Sequence, residues 1–115
     1  MEILIVINDA PHATERPYNA LRLATALAED PETSVRLFLI GDGTYCAVPG
    51  PAPEGGHDIE WMLRRFLGGN GTVAACGTCL DQRGISAEAL IAGVRRSTLQ
   101  ELTAWVKSCD RSLVF

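Results

Sequence analysis

Five consecutive apolar residues, Ile3-Leu4-Ile5-Val6-Ile7, stand almost at the start of the chain with no polar residue among them. Neighbouring side chains of a strand point to opposite faces, so a strand with one wet face alternates apolar and polar residues. An unbroken, largely β-branched run instead predicts a strand covered on both faces, as in the centre of a parallel sheet. Parallel neighbours cannot be joined by a tight hairpin; each pair needs a crossover, usually a helix. The run therefore commits the rest of the chain to alternating strands and helices.

The downstream pattern supplies them. Thr14 is placed to cap a helix from Glu15, with Pro17 tolerated in the first turn. Ala20, Leu23, Ala24, Leu27 and Ala28 give that helix an apolar face, which Asp30-Pro31 ends. Residues 35–40 predict a second strand. Residues 41–56 hold eight Gly or Pro in sixteen, a long loop of the sort that more often carries function than decoration. Asp58 is placed to cap a helix in which Ile59, Met62, Leu63, Phe66 and Leu67 form one amphipathic face. Residues 72–76 predict a third strand, followed by one or two helical turns stopped at Gly84. A short helix over 86–92 and a short strand over 94–96 come next. Thr98 and Glu101 form a capping box ahead of Leu99, Leu102, Val106 and Cys109 at helical spacing, and 112–115 close as a strand. The expectation is one α/β domain over 1–115, three-layer α/β/α, with a mostly parallel sheet of about five strands.

At 115 residues and 47% apolar, the chain is long enough to bury a core without covalent staples. Fourteen acidic residues against ten basic ones argue against broad attraction to nucleic acid or an anionic membrane surface. The Arg64-Arg65 and Arg95-Arg96 pairs accordingly read as solvated faces. No apolar run approaches the roughly 20 residues that span a bilayer. An acid at position 2 and only five apolar residues after it give no targeting segment, and a cytoplasmic location is expected. In a reducing compartment the four cysteines are buried apolar residues, metal ligands or reactive thiols rather than structural disulfides.

Sites in sheets of this kind form beyond the C-terminal ends of the strands. There the sequence puts Asn8 and Asp9 after the first strand, Asp42, Tyr45 and Cys46 after the second, and Cys76 to Cys79 after the third. Cys76 ends a strand where a helix begins, so the free N–H groups of the first turn can favour its thiolate. It reads equally as a small apolar residue closing a strand. Cys79, three residues on, can pair with it in a dithiol–disulfide couple or resolve an adduct formed on it. A zinc site would need two further ligands, which Cys46 and His57 could in principle supply; no second C-x-x-C or H-x-x-H exists, and no metal or other cofactor is expected. Cys46 otherwise anchors its loop, and Cys109 belongs to the apolar face of the last helix. Trp61 and Trp105 fall on helices as packing or subunit-contact residues. No glycine-rich phosphate loop is present.

The segment Cys76-Gly77-Thr78-Cys79-Leu80-Asp81-Gln82-Arg83-Gly84-Ile85 joins residues 14–24, Phe38-Leu39-Ile40-Gly41-Asp42-Gly43 with Cys46, and residues 109–115 in a combination that resembles the DsrE/DsrF-like (YchN-like) family of small sulfur-relay proteins. The resemblance implies that Cys76 carries sulfur as a persulfide and hands it along a chain of partner proteins, with Cys79 assisting and Cys46 and Asp42 as auxiliary residues. It also implies a homotrimer or homohexamer, with sulfur donor and acceptor proteins as partners. Cys79 and Cys46 set this chain apart from the better understood sulfur carriers and bring it nearer the YchN-like branch. The expected function is sulfur carriage rather than classical enzyme turnover. A C-x-x-C redox protein or sensor, and a non-catalytic oligomeric interaction module, are the alternatives.

Overall fold

A computed structural model describes residues 1–115. Its strands are β1 (Glu2–Ile7), β2 (Ser34–Leu39), β3 (Thr72–Cys76), β4 (Val94–Ser97) and β5 (Arg111–Val114). Between them lie helices α1 (Arg16–Ala28), α2 (Ile59–Gly68), α3 (Gly77–Gln82) and α4 (Leu99–Ser108). The sheet runs β4-β3-β2-β1-β5, and every pair is parallel. β1 lies between β2 and β5, as a run of five apolar residues requires.

Topology decides which helix covers which face. From β1 to β4 the chain steps in one direction across the sheet, and right-handed crossovers keep the connecting helices on one side. The step from β4 to β5 goes back the other way, so the same handedness puts α4 on the opposite side. Alternate strand residues sort accordingly. Ile3, Ile5, Ile7, Val35, Leu37, Leu39, Val73 and Ala75 pack with Ala20, Leu21 and Ala24 of α1 and Leu63 and Phe66 of α2. Leu4, Val6, Phe38, Ala74 and Cys76 pack with Trp105 of α4. The first face has two long helices; the second has one.

A ten-residue helix is about 15 Å long, whereas five strands at about 4.8 Å spacing span about 19 Å. α4 therefore covers the middle of its face and leaves the margins open. Its inward residue is Trp105, packed edge-on against Phe38 with ring centroids 6.0 Å apart and planes at 90°. The guanidinium groups of Arg36 and Arg95 lie over the same indole at 5.2 and 5.8 Å. With the indole turned in, the stripe expected to face the core turns partly out: Leu99 is 63% and Val106 51% exposed. Val114 on the edge strand β5 is 70% exposed. α1 departs similarly, with Leu21 fully buried and Leu23 exposed.

The helix starts follow their caps. The Asp58 carboxylate accepts from the Trp61 N–H at 3.0 Å, and the Thr98 hydroxyl oxygen accepts from the Glu101 N–H at 3.2 Å. Only half of the expected capping box closes, because the Glu101 carboxylate accepts instead from Ser97 at 2.6 Å and Arg95 at 2.8 Å. Thr14 accepts from the Arg16 N–H at 3.1 Å but lies one residue ahead of Glu15, which is the first flanking residue of α1. Residues 41–56 are not wholly irregular: Gly41–Ala47 form a 3-10 segment that buries Thr44, Cys46 and Ala47. The helix expected over 86–92 shrinks to a 3-10 turn at Ala87–Ala89. No helix is long and apolar enough to cross a membrane.

Because Trp105 is the main side chain of the thinner layer, Trp105→Ala is expected to cost about 3–5 kcal/mol, while Leu99→Ser is expected to stay within about 0.5 kcal/mol for the isolated chain. Urea unfolding of the two variants, with the loss concentrated in Trp105→Ala, checks the assignment of the α4 face.

Candidate functional site

β3 ends in Cys76 at the C-terminal edge of the sheet, and α3 starts at the next residue. With no linker between strand and helix, the first turn of α3 is fixed by the strand itself. Cys79 is placed one turn on, and its thiol lies beside that of Cys76 on the α4 side of the sheet. Cys76 is 7% exposed, whereas Cys79 is half-buried. The outer thiol is thus the one that a partner meets first.

The electrostatics of Cys76 differ from the expectation. Burial is the largest influence and pushes its thiol up; the backbone N–H groups of Cys79 and Thr78 pull down, and the Cys79 thiol pushes up again. Dipoles at a helix start do favour a thiolate, but here they work against desolvation and lose. The resting side chain caps no backbone group of α3. Cys76 therefore rests as a thiol rather than a standing thiolate.

Four other members of the cysteine-bearing segment have visible tasks. Arg83 donates from Nε and Nη2 to one carboxylate oxygen of Asp42 at 3.0 and 2.8 Å, and from Nη1 to the Cys79 carbonyl at 3.1 Å. It ties the last turn of α3 to the segment after β2 and satisfies a carbonyl that the helix end would leave bare. Asp81 accepts both arms of the Arg96 guanidinium from β4, at 2.8 Å each, which holds its carboxyl below the usual carboxylate range. Gly84, at φ +66°, takes the left-handed conformation that ends the helix. Ile85 is buried in the main core. α3 is clamped between two arginine–aspartate pairs, one to each neighbouring strand's C-terminal end.

Asp42 enters the site through Arg83 and not through either sulfur. Cys46 lies apart, fully packed beneath the 3-10 segment, with its thiol donating to the Asp9 carbonyl at 3.6 Å. Burial, followed by the Asp9 charge, pushes this thiol up to about 12. Cys109 caps the C-terminus of α4, beside the start of β1 and thus at the opposite sheet edge from Cys76; its thiol donates to the Val106 carbonyl at 3.4 Å. His57 stacks on Tyr18 with centroids 3.4 Å apart and reaches Glu15 at 3.4 Å. The structure brings no three His, Cys, Asp or Glu side chains within reach of one metal ion. Arg96, read from the sequence as part of a solvated face, is tied to α3 through Gly77 and Asp81; these lie on another element, so only the placement of β4 beside β3 brings it there.

A strand, a C-x-x-C turn and a doubly clamped short helix on an all-parallel five-stranded sheet define a class. The chain belongs to the DsrE/DsrF-like family, whose profile matches residues 1–115. It is 43% identical over 115 residues to Protein YchN of Escherichia coli strain K12, covering 99% of this chain and 98% of that protein. A protein of Methanopyrus kandleri is 40% identical over 114 residues, covering 98% and 93% of the two chains. The crystal structure of YchN superposes with a TM-score of 0.94 at 42% identity, over 100% of this chain and 99% of that one. A protein from Methanobacterium thermoautotrophicum shares the fold alone, with a TM-score of 0.74 at 12% identity over 96% of each chain.

The raised Cys46 pKa gives a signed prediction. The folded protein keeps this proton while the unfolded thiol loses it above its ordinary 9.0, so stability is full below pH 9 and falls as pH rises towards about 12. The expected contribution to the slope is about 1.4 kcal/mol per pH unit. Chemical denaturation at several alkaline pH values tests it: Cys46→Ala should flatten the decline, whatever it costs in absolute stability.

Proposed function

We propose that this protein is a sulfur carrier that takes up sulfane sulfur on Cys76 and passes it to a partner. The single observation that supports this most is the adjacency of two thiols of unequal exposure at the sheet edge of a DsrE/DsrF-like chain, a family linked to sulfur relay. In the loading step Cys76 sulfur attacks the outer sulfur of a donor persulfide. The donor's S–S bond breaks, the donor leaves as a thiol carrying the proton from Cys76, and Cys76 becomes a persulfide. In the delivery step an acceptor thiolate attacks that outer sulfur and Cys76 leaves with its electron pair. No net oxidant or reductant is consumed. None of the five best-formed surface cavities is lined by Cys76 or Cys79, which favours protein thiols meeting the site at the surface as donor and acceptor.

Burial of Cys76 suits a carrier. A half-hidden persulfide is protected from stray thiols, and ionisation is deferred until a partner arrives. Incubation with a persulfide donor, followed by intact mass measurement, is expected to show a gain of one cyanide-labile sulfur, lost in Cys76→Ser and kept in Cys46→Ala. A protein that gains no sulfur, or gains it equally in Cys76→Ser, overturns the proposal.

One contact favours a second reading, a dithiol–disulfide couple. Cys76 and Cys79 are one helical turn apart with their thiols on the same side of the sheet, a spacing within the reach of a disulfide. Loss of two hydrogens on mild oxidation, without sulfur uptake from the donor, is the outcome that selects it.

Copies of the chain are proposed to meet over the thinly covered face, where Leu99 and Val106 of α4 and Val114 of β5 are exposed. Sedimentation equilibrium is expected to give a trimer or hexamer, with Val106→Glu shifting it toward monomer; a monomeric wild-type chain sinks this assignment.

A further inference from the structure

We propose that the carrier discharges itself: when no partner takes the sulfur, Cys79 attacks the Cys76 persulfide, hydrogen sulfide leaves, and a Cys76–Cys79 disulfide remains. The proposal deepens the carrier function and rests on Cys76 being the thiol that loads. It adds a product, sulfide, and a class of reaction that must follow, reduction of the disulfide by a dithiol.

Position singles out Cys79. Of the other three thiols, Cys46 is packed on the α1 and α2 face, and Cys109 lies at the opposite sheet edge. Cys79 alone shares both the edge and the α4 face with Cys76. Cys76 directly precedes α3 and Cys79 is the third residue within it, a spacing within the reach of a disulfide. The turn that sets this spacing is held from two sides. Arg83 donates to the Cys79 carbonyl at 3.1 Å and to Asp42 at 2.8 Å, while Asp81 grips Arg96 of β4 at 2.8 Å. Cys79 is thus carried on a fixed turn next to the loaded residue.

The surroundings decide which bond breaks. A persulfide attacked at its outer sulfur passes that sulfur on, whereas attack at its inner sulfur expels it. Expulsion makes hydrosulfide the leaving group, and it is a good one only while the outer sulfur carries its proton. Cys76 is 7% exposed. Desolvation already disfavours its thiolate, and for the same reason it disfavours the persulfide anion. The outer sulfur therefore stays protonated and ready to depart. The inner sulfur is also the atom that the spacing of the two residues brings within bonding reach of Cys79.

The step balances. An S–S bond forms between Cys79 and Cys76 as the bond to the outer sulfur breaks, its electron pair leaving with that sulfur. The departing hydrosulfide takes up the proton that Cys79 gives up. The carried sulfur is reduced to sulfide, and the two cysteines are oxidised to the disulfide. A dithiol reductant must then restore both thiols before the chain loads again. A partner that reaches the persulfide first receives sulfur; the dithiol–disulfide couple is the discharged state of the same carrier.

The test uses the full chain loaded with glutathione persulfide, freed of donor by gel filtration, and held at neutral pH without acceptor. Intact mass follows the protein while monobromobimane traps released hydrosulfide. The wild-type adduct is expected to decay to a mass two hydrogens below the reduced chain, with one sulfide released per adduct. Cys79→Ser and Cys79→Ala should load to the same extent and hold their sulfur at least about tenfold longer, because the intramolecular nucleophile is gone. Dithiothreitol should return the discharged wild type to its reduced mass and to a second round of loading.

The proposal is overturned if the adduct decays equally fast in all three chains, if sulfide appears without loss of the two hydrogens, or if the sulfur moves unreleased onto the Cys79 peptide. The outcome is separable from sulfur carriage. Loading of the Cys79 variants with decay equal to wild type keeps the carrier and removes the discharge. Failure of every chain to load, with or without Cys79, removes the carrier and the discharge with it.

Discussion

The direction in which the chain crosses its sheet governs most of what is distinctive here. Four strands laid down one way and a fifth returned past the first oblige α4 to cover a whole face by itself. A ten-residue helix is too short for that, and Trp105, with its large indole, fills the middle. The cost is a margin of exposed apolar side chains; the gain is access. Cys76 and Cys79 open onto this face, where one layer rather than a double helix layer separates them from a partner.

Burial and reactivity are in tension at Cys76. A sulfur that is nearly enclosed resists ionisation, and two amide groups of a six-residue helix do not compensate. The site is therefore organised by what surrounds the sulfur, not by the sulfur's resting state. Two arginine–aspartate pairs hold α3 against the segment after β2 and against β4. They fix the spacing of the two thiols, and each draws one partner from the C-x-x-C-x-D-x-R segment itself. That is why the segment's charged residues recur at such close intervals.

Much of this was legible in the residues. The apolar run of β1, the Asp58 cap, the five-residue β3 and the glycine stop after α3 all follow from local rules that depend on neighbours in sequence, and each stands where those rules put it. Errors arose where long-range packing decided. Leu99 and Val106 have helical spacing, but the Trp105 indole, six positions from the first and one from the second, competed for the core and won. Glu101 has a capping-box position, but Ser97 and Arg95 offered it stronger partners. At the site, the cysteine pair and Asp42 could be read from strand ends. Arg96 could not, because its pairing with Gly77 and Asp81 exists only once β4 lies beside β3. The sign of the Cys76 shift was likewise out of reach, since it depends on how much protein is stacked over one sulfur.

Gly77 and Arg96 occupy a single volume between them, although nineteen positions separate them in the chain. Whatever one gains in bulk, the other must surrender. A larger group at the first would push the guanidinium end of the second aside and loosen its hold on Asp81.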